Sequence, residues 1–541
     1  MITLIPDSSA DSVDAWSDEV IHLAKVLKAA NQDFLIASAT MLPNWRYQLL
    51  AAGLYEMPRW NAFDVIQQVT AQDGLPVTMQ QLAIPADYTP VYVGQEVYYY
   101  DGMHLVGTAH IHAAGFVTSY DAVGKNGLRS HYQFDDRGFC TWRQWFQDDK
   151  LVRQVWYTPS GAPVIEQDAD GVITVDPAQQ SRFAAAQYAA IDDLIAEVVQ
   201  RAFADQQLTK PVVASTGDKQ WLKLRPRLGK LTRLTWLLSS QSESAEQVQW
   251  LRQAVAPTDE IIAPSHVDQR KLQQIMADSR QTIKVPIHYV PTYTTHLDLG
   301  FSNESDLQVI AWQVSNVAVK LRNEILAKQL LQVLKHRDWG LFIAVRDENE
   351  KNWFEQQRAL FVNQQLDMDT ESDSYQLYAT YMDQKAKHQL MSGTSDAIKP
   401  LRASDEWPTL VKAGHIMRDV QVETNVTLSE WVLRLQKLRL FVDTGAQPNL
   451  LLQAEAVSAG VPIVALVPSD MIISGGNGQI ARNTQEVSAA ITHYLGSLTN
   501  WNDSLVTSVD LIEKYAPENI LKNWQEVFDY GKQTDSRDSD F

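Results

Sequence analysis

The sequence predicts an α/β protein of two lobes, with an antiparallel β-sheet inserted into the first. Three observations predict it. The chain has 541 residues, and single hydrophobic cores rarely grow past roughly 250–300 residues, so two large lobes are expected. Short apolar strands alternate with amphipathic helical stretches in the first and last parts of the chain, the rhythm of a parallel sheet with helices packed on it. Between residues 85 and 180 that rhythm gives way to dense Tyr, Val, Trp and Thr, residues that fit a pleated surface.

The first lobe opens on the strand "MITLIP". Val13, Trp16, Val20, Leu23 and Leu27 then recur at spacings of three and four and form one helical stripe, and "DFLIASAT" supplies the next strand. This part spans 1–84. The insertion, 85–180, is punctuated by Asp101-Gly102, Asn126-Gly127 and Ser160-Gly161, pairs that turn one antiparallel strand into the next. A helix is expected over 181–205. The first lobe resumes over 181–300 with the strands "PVVAST" (211–216), "RLTWLLSS" (233–240), "EIIAPS" (260–265) and "VPIHYVPTY" (285–293).

The second lobe, 301–497, has strands "LQVIAWQV" (307–314), "GLFIAV" (340–345), "GHIMRDVQVE" (414–423), "LRLFVDT" (438–444) and "VPIVAL" (461–466), with a polar stretch over 365–400 that has room for a long loop. In "NTQEVSAAITHYL", Asn483 caps a helix and Glu486 is placed to reach back to the Asn483 amide. The last segment, 498–541, carries an amphipathic helix with Leu498, Trp501, Leu505, Val509 and Ile512 on one face. It ends in the polar tail "YGKQTDSRDSDF", expected to be disordered. Two such lobes imply a cleft, and ligands of α/β sheets sit outside the carboxyl ends of the strands.

Composition narrows the function. The net charge of −19, from 46 basic and 65 acidic residues, argues against a general nucleic-acid binder, whose affinity rests on Lys and Arg neutralising phosphates. The single cysteine, Cys140, allows no intramolecular disulfide and fits a reducing cytoplasm. The opening residues lack the basic start of a signal peptide. No run approaches the 18 or so apolar residues of a membrane span.

The stretch "QPNLLLQAEAVSAGVPIVAL", 447–466, carries the sharpest chemistry. Pro448 suits a first helical turn and Gly460 a left-handed helix end, which predicts a helix from Pro448 to Ala459. Its amino terminus would offer free amides and a partial positive charge to an anion. The pattern Glu455-Ala-Val-Ser-Ala-Gly460-Val-Pro462 resembles the signature of retaining glycosyltransferases of the GT-B fold. In that pattern a second Glu stands eight residues earlier, one carboxylate contacting the nucleotide ribose and the other lying near the transferred sugar. Here that position is Gln447, which carries no charge. The basic pair that clamps the diphosphate in those enzymes is also missing. Lys320 and Arg322 are the nearest substitutes and fall within a predicted helix. A transferase must stabilise its leaving diphosphate, so no catalytic residue is assigned. Gln447, Asn449, Glu455 and Asn477 are the candidate lining of a degenerate donor pocket.

A wider pattern points the same way. "LRLFVDTGAQPNLLLQAEAVSAGVPIVAL", then "GGNGQI", then "HYLGSLTNWNDSLVTSVDLIEKYAPENILKNWQEVF" resembles the first accessory secretory protein of the accessory Sec system of Gram-positive bacteria. So does "HYQFDDRGFCTWRQWFQDDKLVRQVWYTPSGAPVIEQDADGVITVDP", with its Arg-Gly-Phe turn. The resemblance implies a GT-B-like fold with two Rossmann-like lobes and an incomplete donor site, and a non-enzymatic role without cofactor. It implies as partners the second and third accessory secretory proteins, the dedicated SecA-type motor, and a glycosylated serine-rich repeat adhesin precursor in export. It implies a cytoplasmic protein with peripheral contact at the inner face of the membrane. Two rivals share the fold: an active retaining glycosyltransferase acting on the same adhesin, and a lectin-like binder of its attached sugars.

Other features carry weaker chemistry. His110 and His112 share a strand face, but no third ligand stands at metal spacing, so no metal is assigned. "ISGGNGQI" (473–480) lacks the Gly-Lys-Ser/Thr end of a phosphate loop and reads as a flexible turn. Cys140 reads as a packed small hydrophobe. Trp142, Trp145, Trp156 and Tyr157 offer either a contact surface or a covered core face. "KQWLKLRPRLGKLTR" (219–233) holds Lys219, Lys223, Arg225, Arg227, Lys230 and Arg233 with no acid between them. It is a candidate dock for an acidic partner or anionic headgroups.

Overall fold

A computed structural model describes residues 1–8, 18–124, 127–229, 233–239, 251, 253–277, 285–314 and 317–538, with 530–538 as backbone only. Val13, Trp16, Asn126 and Lys230 lie outside the described residues. The chain divides into two compact units. One comprises Met1–Pro264, Asp268–Thr292 and Leu521–Phe541, the other Ser265–Val267 and Tyr293–Ile520.

The first unit holds a parallel sheet in the spatial order Ile287–Tyr289, Glu260–Ala263, Leu234–Leu237, Val212–Ser215, Ile2–Ile5, Phe34–Ser38 and Arg59–Asn61. The chain starts in the middle of this sheet, winds one way through Asn61, then returns and winds the other way, the doubly wound arrangement. Helices cover the sheet faces, so its central strands are buried along their length; Trp236 within a strand and Trp221 on a covering helix are fully buried.

The insertion is a ten-stranded antiparallel meander from Thr89–Val93 to Gln187–Tyr188, each strand paired with its sequence neighbour. Its last strand explains one departure from the sequence reading. The helix expected over 181–205 begins only at Ile191, because Gln187–Tyr188 pairs with Ile173–Val175. Buried polar contacts anchor the sheet to the lobe that carries it. Arg137 makes a bidentate bond to Asp64 at 2.7 and 2.9 Å, and Gln67 donates to the carbonyls of Thr141 and Tyr157 at 2.7 and 2.6 Å. The Arg-Gly-Phe turn needs its glycine: Gly138 has φ +95°, and a Cβ there would lie 2.2 Å from the Leu75 carbonyl oxygen.

The second unit holds a second parallel sheet, ordered Val420–Thr424, Trp339–Val345, Gln308–Gln313, Leu438–Asp443, Ile463–Ala465 and Gly478–Ile480. The segment 414–423 is a helix, Trp407–Asp419, before it becomes a strand at Val420; Leu410, Ala413 and Ile416 are its buried stripe. The polar stretch 365–400 is helical over Asp373–Ala386 and Ser392–Arg402, and its connections are short, so it includes no long loop. Asn483 caps its helix as expected, but Glu486 bonds the Arg482 amide at 2.9 Å rather than that of Asn483. The Leu498–Lys514 helix buries Trp501, Ser504, Ser508, Leu511 and Ile512, leaving Leu498 and Val509 exposed. The final helix, Pro517–Asp538, runs through most of the tail expected to be disordered. Among the described residues no helix is long and apolar enough to cross a membrane.

Candidate functional site

The second sheet reverses its winding between Gln308–Gln313 and Leu438–Asp443, and their carboxyl ends are where a ligand of such a sheet sits. The loop leaving Leu438–Asp443 occupies that point and leads to the helix Leu450–Ser458. Trp312 donates its indole N–H to Thr444 Oγ1 at 2.8 Å, tying the loop to the neighbouring strand. Asp443 fills the loop from beneath. Its carboxylate, 1% exposed, accepts from the Gly445 amide at 3.2 Å, the Asn449 amide at 2.8 Å and the Gln453 side chain at 2.8 Å. Burial pushes this carboxyl above its ordinary range against the pull of those donors.

The expected anion site is therefore largely occupied by the chain itself. Asn449 does not face a ligand with its side-chain oxygen: it is the N-cap, accepting from the Leu452 amide at 3.1 Å, so the helix starts at Leu450 rather than Pro448. The Leu450 amide bonds the Pro448 carbonyl at 3.1 Å. Gln447 is half-buried beside this loop, and Glu455 is half-buried further along the helix. Asn477 does not line a pocket. It is fully buried, accepts from the Ile473 amide and donates to the Met471 carbonyl, both at 2.8 Å. It staples a turn whose exit, Gly478–Ile480, is an edge strand of the sheet, so "ISGGNGQI" is not simply a flexible turn. Arg322 stacks its guanidinium 3.9 Å from the Trp353 ring centroid, while Lys320 is exposed.

Residues 11–530 match the family model of the accessory Sec system protein, accessory secretory protein 1. The chain belongs to this family. The accessory Sec system protein of Streptococcus gordonii is 22% identical over 515 residues, covering 94% of this chain and 92% of that one. The crystal structure of accessory secretory proteins 1, 2 and 3 in Streptococcus pneumoniae is similar with a TM-score of 0.71 at 18% identity, covering 99% of this chain and 100% of that chain. The pneumococcal O-GlcNAc transferase GtfA in complex with UDP and GlcNAc is similar with a TM-score of 0.65 at 14% identity, covering 98% of both chains. The fold of this accessory Sec protein is GT-B-like, and its role is accessory to protein secretion.

The basic run of this family member is not one patch. Arg225 is 1% exposed and forms a bidentate pair with Asp259 at 2.7 and 2.8 Å. It belongs to the core and is unavailable for docking, because a buried guanidinium requires its carboxylate partner. Arg233 pairs with Glu260 and Arg227 with Asp193, both at 3.0 Å. Lys219 and Lys223 remain exposed.

The inserted sheet places the other candidates. His110 bonds Asp121 at 2.8 Å, and Asp121 also bonds His131 at 2.8 Å. Burial raises the Asp121 carboxyl, but the two imidazole hydrogen bonds outweigh it and hold it below the ordinary range. His112 stacks on Phe116 instead, 4.6 Å between ring centroids. Among the described residues no group of three His, Cys, Asp or Glu could hold a metal ion. Burial pushes the Cys140 thiol up to about 11, so it stays protonated. Trp156 is core, stacked on Phe63, and Trp142 packs beside it; Trp145 instead stacks with Arg143 and Arg153.

Two features carried no sequence signal. At the carboxyl edge of the first sheet, Ser8 donates to the buried Asp218 at 2.5 Å, and Asp18 accepts from the amides of Val20 and Ile21 at 2.7 and 3.1 Å. Burial raises Asp18 to about 8 and Asp218 to about 6. Both cap helices, so their first duty is structural. The second feature is a cavity in the second unit with Arg337, Lys385, Arg402 and Lys412 in its lining.

Proposed function

We propose that this chain is a non-enzymatic subunit of the accessory Sec export complex. Working with the second and third accessory secretory proteins in the cytoplasm, at or near the inner face of the membrane, it presents a glycosylated serine-rich repeat adhesin to the dedicated SecA-type motor. Gln447 and Glu455 mark the remains of a donor site, while Asn449 and Asn477 have become structural. The observation that carries this reading is Asp443 in the loop at the switch point. A fixed carboxyl group that occupies the Gly445 and Asn449 amides competes with an incoming diphosphate for them. Gln447 in place of a carboxylate supports the same reading.

The test is adhesin export in a deletion strain complemented with Glu455→Ala, with protein level and partner pull-down measured alongside. Export at the wild-type level is expected, with no calorimetric binding of a nucleotide sugar to the wild-type chain. Lost export with intact protein and intact complex, together with tight nucleotide-sugar binding removed by Glu455→Ala, would establish the transferase instead. Binding of glycosylated but not bare adhesin peptide to the isolated chain would favour the lectin-like reading.

A further inference from the structure

All strands of the second unit's sheet run parallel, so its two edges differ. The carboxyl edge carries the loop filled by Asp443. At the amino edge, where the chain enters Trp339–Val345 and Val420–Thr424, lies an open cavity of 320 Å³. Its floor is aromatic. Tyr378 and Tyr381 are 4% and 8% exposed, and Trp407 stands edge-on to Tyr378 with ring centroids 5.4 Å apart. Gly414 brings that floor down onto helix backbone: a Cβ there would lie 2.2 Å from the Tyr378 ring.

The rim is cationic. Arg337, Lys385, Arg402 and Lys412 all line the cavity, no carboxylate does, and among the described residues none of the four forms an ion pair. Their neighbours Arg418 and His415 show the contrast, since both are held by Asp419 at 2.6 and 2.8 Å. Four uncompensated cations converging on one concavity repel one another and focus a positive potential there, in a chain whose net charge is −19. Two are arginines, whose planar forks match phosphoryl oxygens, and two are lysines, which serve as point charges. The volume suits a small molecule, and Met382 and Val411 offer its uncharged part an apolar wall.

We propose that this cavity binds a small soluble organic phosphate carrying two or more negative charges. The rim cations hold its phosphoryl groups, and the aromatic floor holds the remainder. The inference stands apart from the export role, since it rests on different residues at the opposite edge of the sheet.

The experiment titrates the full chain with ADP and with pyrophosphate, followed by calorimetry and by tryptophan fluorescence, at low and high salt. Both probes are expected to bind, more weakly at high salt. Arg337→Gln with Arg402→Gln should weaken ADP by at least about tenfold. Adding Lys385→Gln and Lys412→Gln should remove measurable binding. These side chains are exposed, so the melting temperature without ligand should not change. Glu455→Ala should leave binding unchanged, which separates the cavity from the loop at the other edge. Absence of binding of both probes at about 1 mM, or binding unaltered in the fourfold variant, would overturn the proposal. So would capture by phosphatidylglycerol vesicles alone, lost in that variant, with no soluble probe bound.

Discussion

Two basic regions of this molecule behave in opposite ways. The run 219–233 is contiguous in sequence, yet folding disperses it: one arginine enters the core, two pair with carboxylates, and two lysines stay in solvent. Arg337, Lys385, Arg402 and Lys412 are scattered over three helices and a loop, yet folding gathers them on one rim. Neighbours in sequence share a surface only if their spacing matches the element that carries them. On the helix Lys219–Leu228, Lys219 and Lys223 stand four apart and share a face, whereas Arg225 stands two further on and turns inward. A charge run is therefore weak evidence of a docking surface, and convergence is visible only in the fold.

The largest effect is expected at Arg225. Arg225→Ala leaves the buried Asp259 carboxylate without its countercharge, although the Leu234 and Ala256 amides and the Trp236 indole still donate to it. The expected loss is about 3–5 kcal/mol of stability, read as a lower urea midpoint by tryptophan fluorescence. Arg225→Lys should recover only part of it, because an ammonium lacks the fork. A loss under about 1 kcal/mol, the range of exposed pairs, would return Arg225 to the surface and restore the run as one patch.

A smaller effect is expected beside the cavity. His415 bonds Asp419 through Nδ1 and the Val333 carbonyl through Nε2, at 2.8 and 3.0 Å. Both partners are acceptors, so the ring satisfies both only when doubly protonated. The Asp419 hydrogen bond accordingly raises the His415 pKa above its ordinary 6.5, although burial opposes it. The Asp419 carboxyl is pushed up by burial, but its bonds to His415 and Arg418 outweigh this and hold it below its ordinary 3.8. A raised histidine stabilises fully below 6.5 and loses that contribution as pH rises through its folded value. A lowered carboxylate stabilises fully above 3.8 and loses it as pH falls through its folded value. His415→Gln should thus cost most between those limits, about 1 kcal/mol, and progressively less in alkali. A penalty that grows with pH would show that the ring is bound neutral.

The same distinction explains what the sequence revealed. Parallel strands buried on both faces read as unbroken apolar runs, and all of Trp339–Val345 is buried, so the central strands were legible, whereas the short edge strands Arg59–Asn61 and Gly478–Ile480 were not. The 365–400 region was misread because its helices bury little; Tyr375, Tyr378 and Tyr381 recur every three residues within a polar background, a stripe easily overlooked. The Leu498–Lys514 helix was rotated wrongly because Ser504 and Ser508 face inward, their hydroxyls bonded to carbonyls of their own helix. At the candidate site, the neutral residue at 447 stood out only against the glycosyltransferase pattern that the stretch resembles. Asp443 was not, because a carboxylate at a strand end gives no sign of which amides it will meet.

The smallest effect is expected at the two exposed lysines of the contiguous run. Lys219→Gln with Lys223→Gln removes the two exposed cations of the contiguous run. Stability should change by no more than about 0.5 kcal/mol, since neither side chain is buried. Recovery of the partner accessory proteins in a pull-down should not change at either low or high salt. The fourfold cavity variant removes exposed cations in the same way and should be equally silent in stability, yet it loses its phosphate ligand. If instead the paired lysine variant weakens partner recovery at low salt, two lysines four residues apart suffice as a dock. Sequence contiguity would then have marked a functional surface after all, by way of the helix face those two residues share.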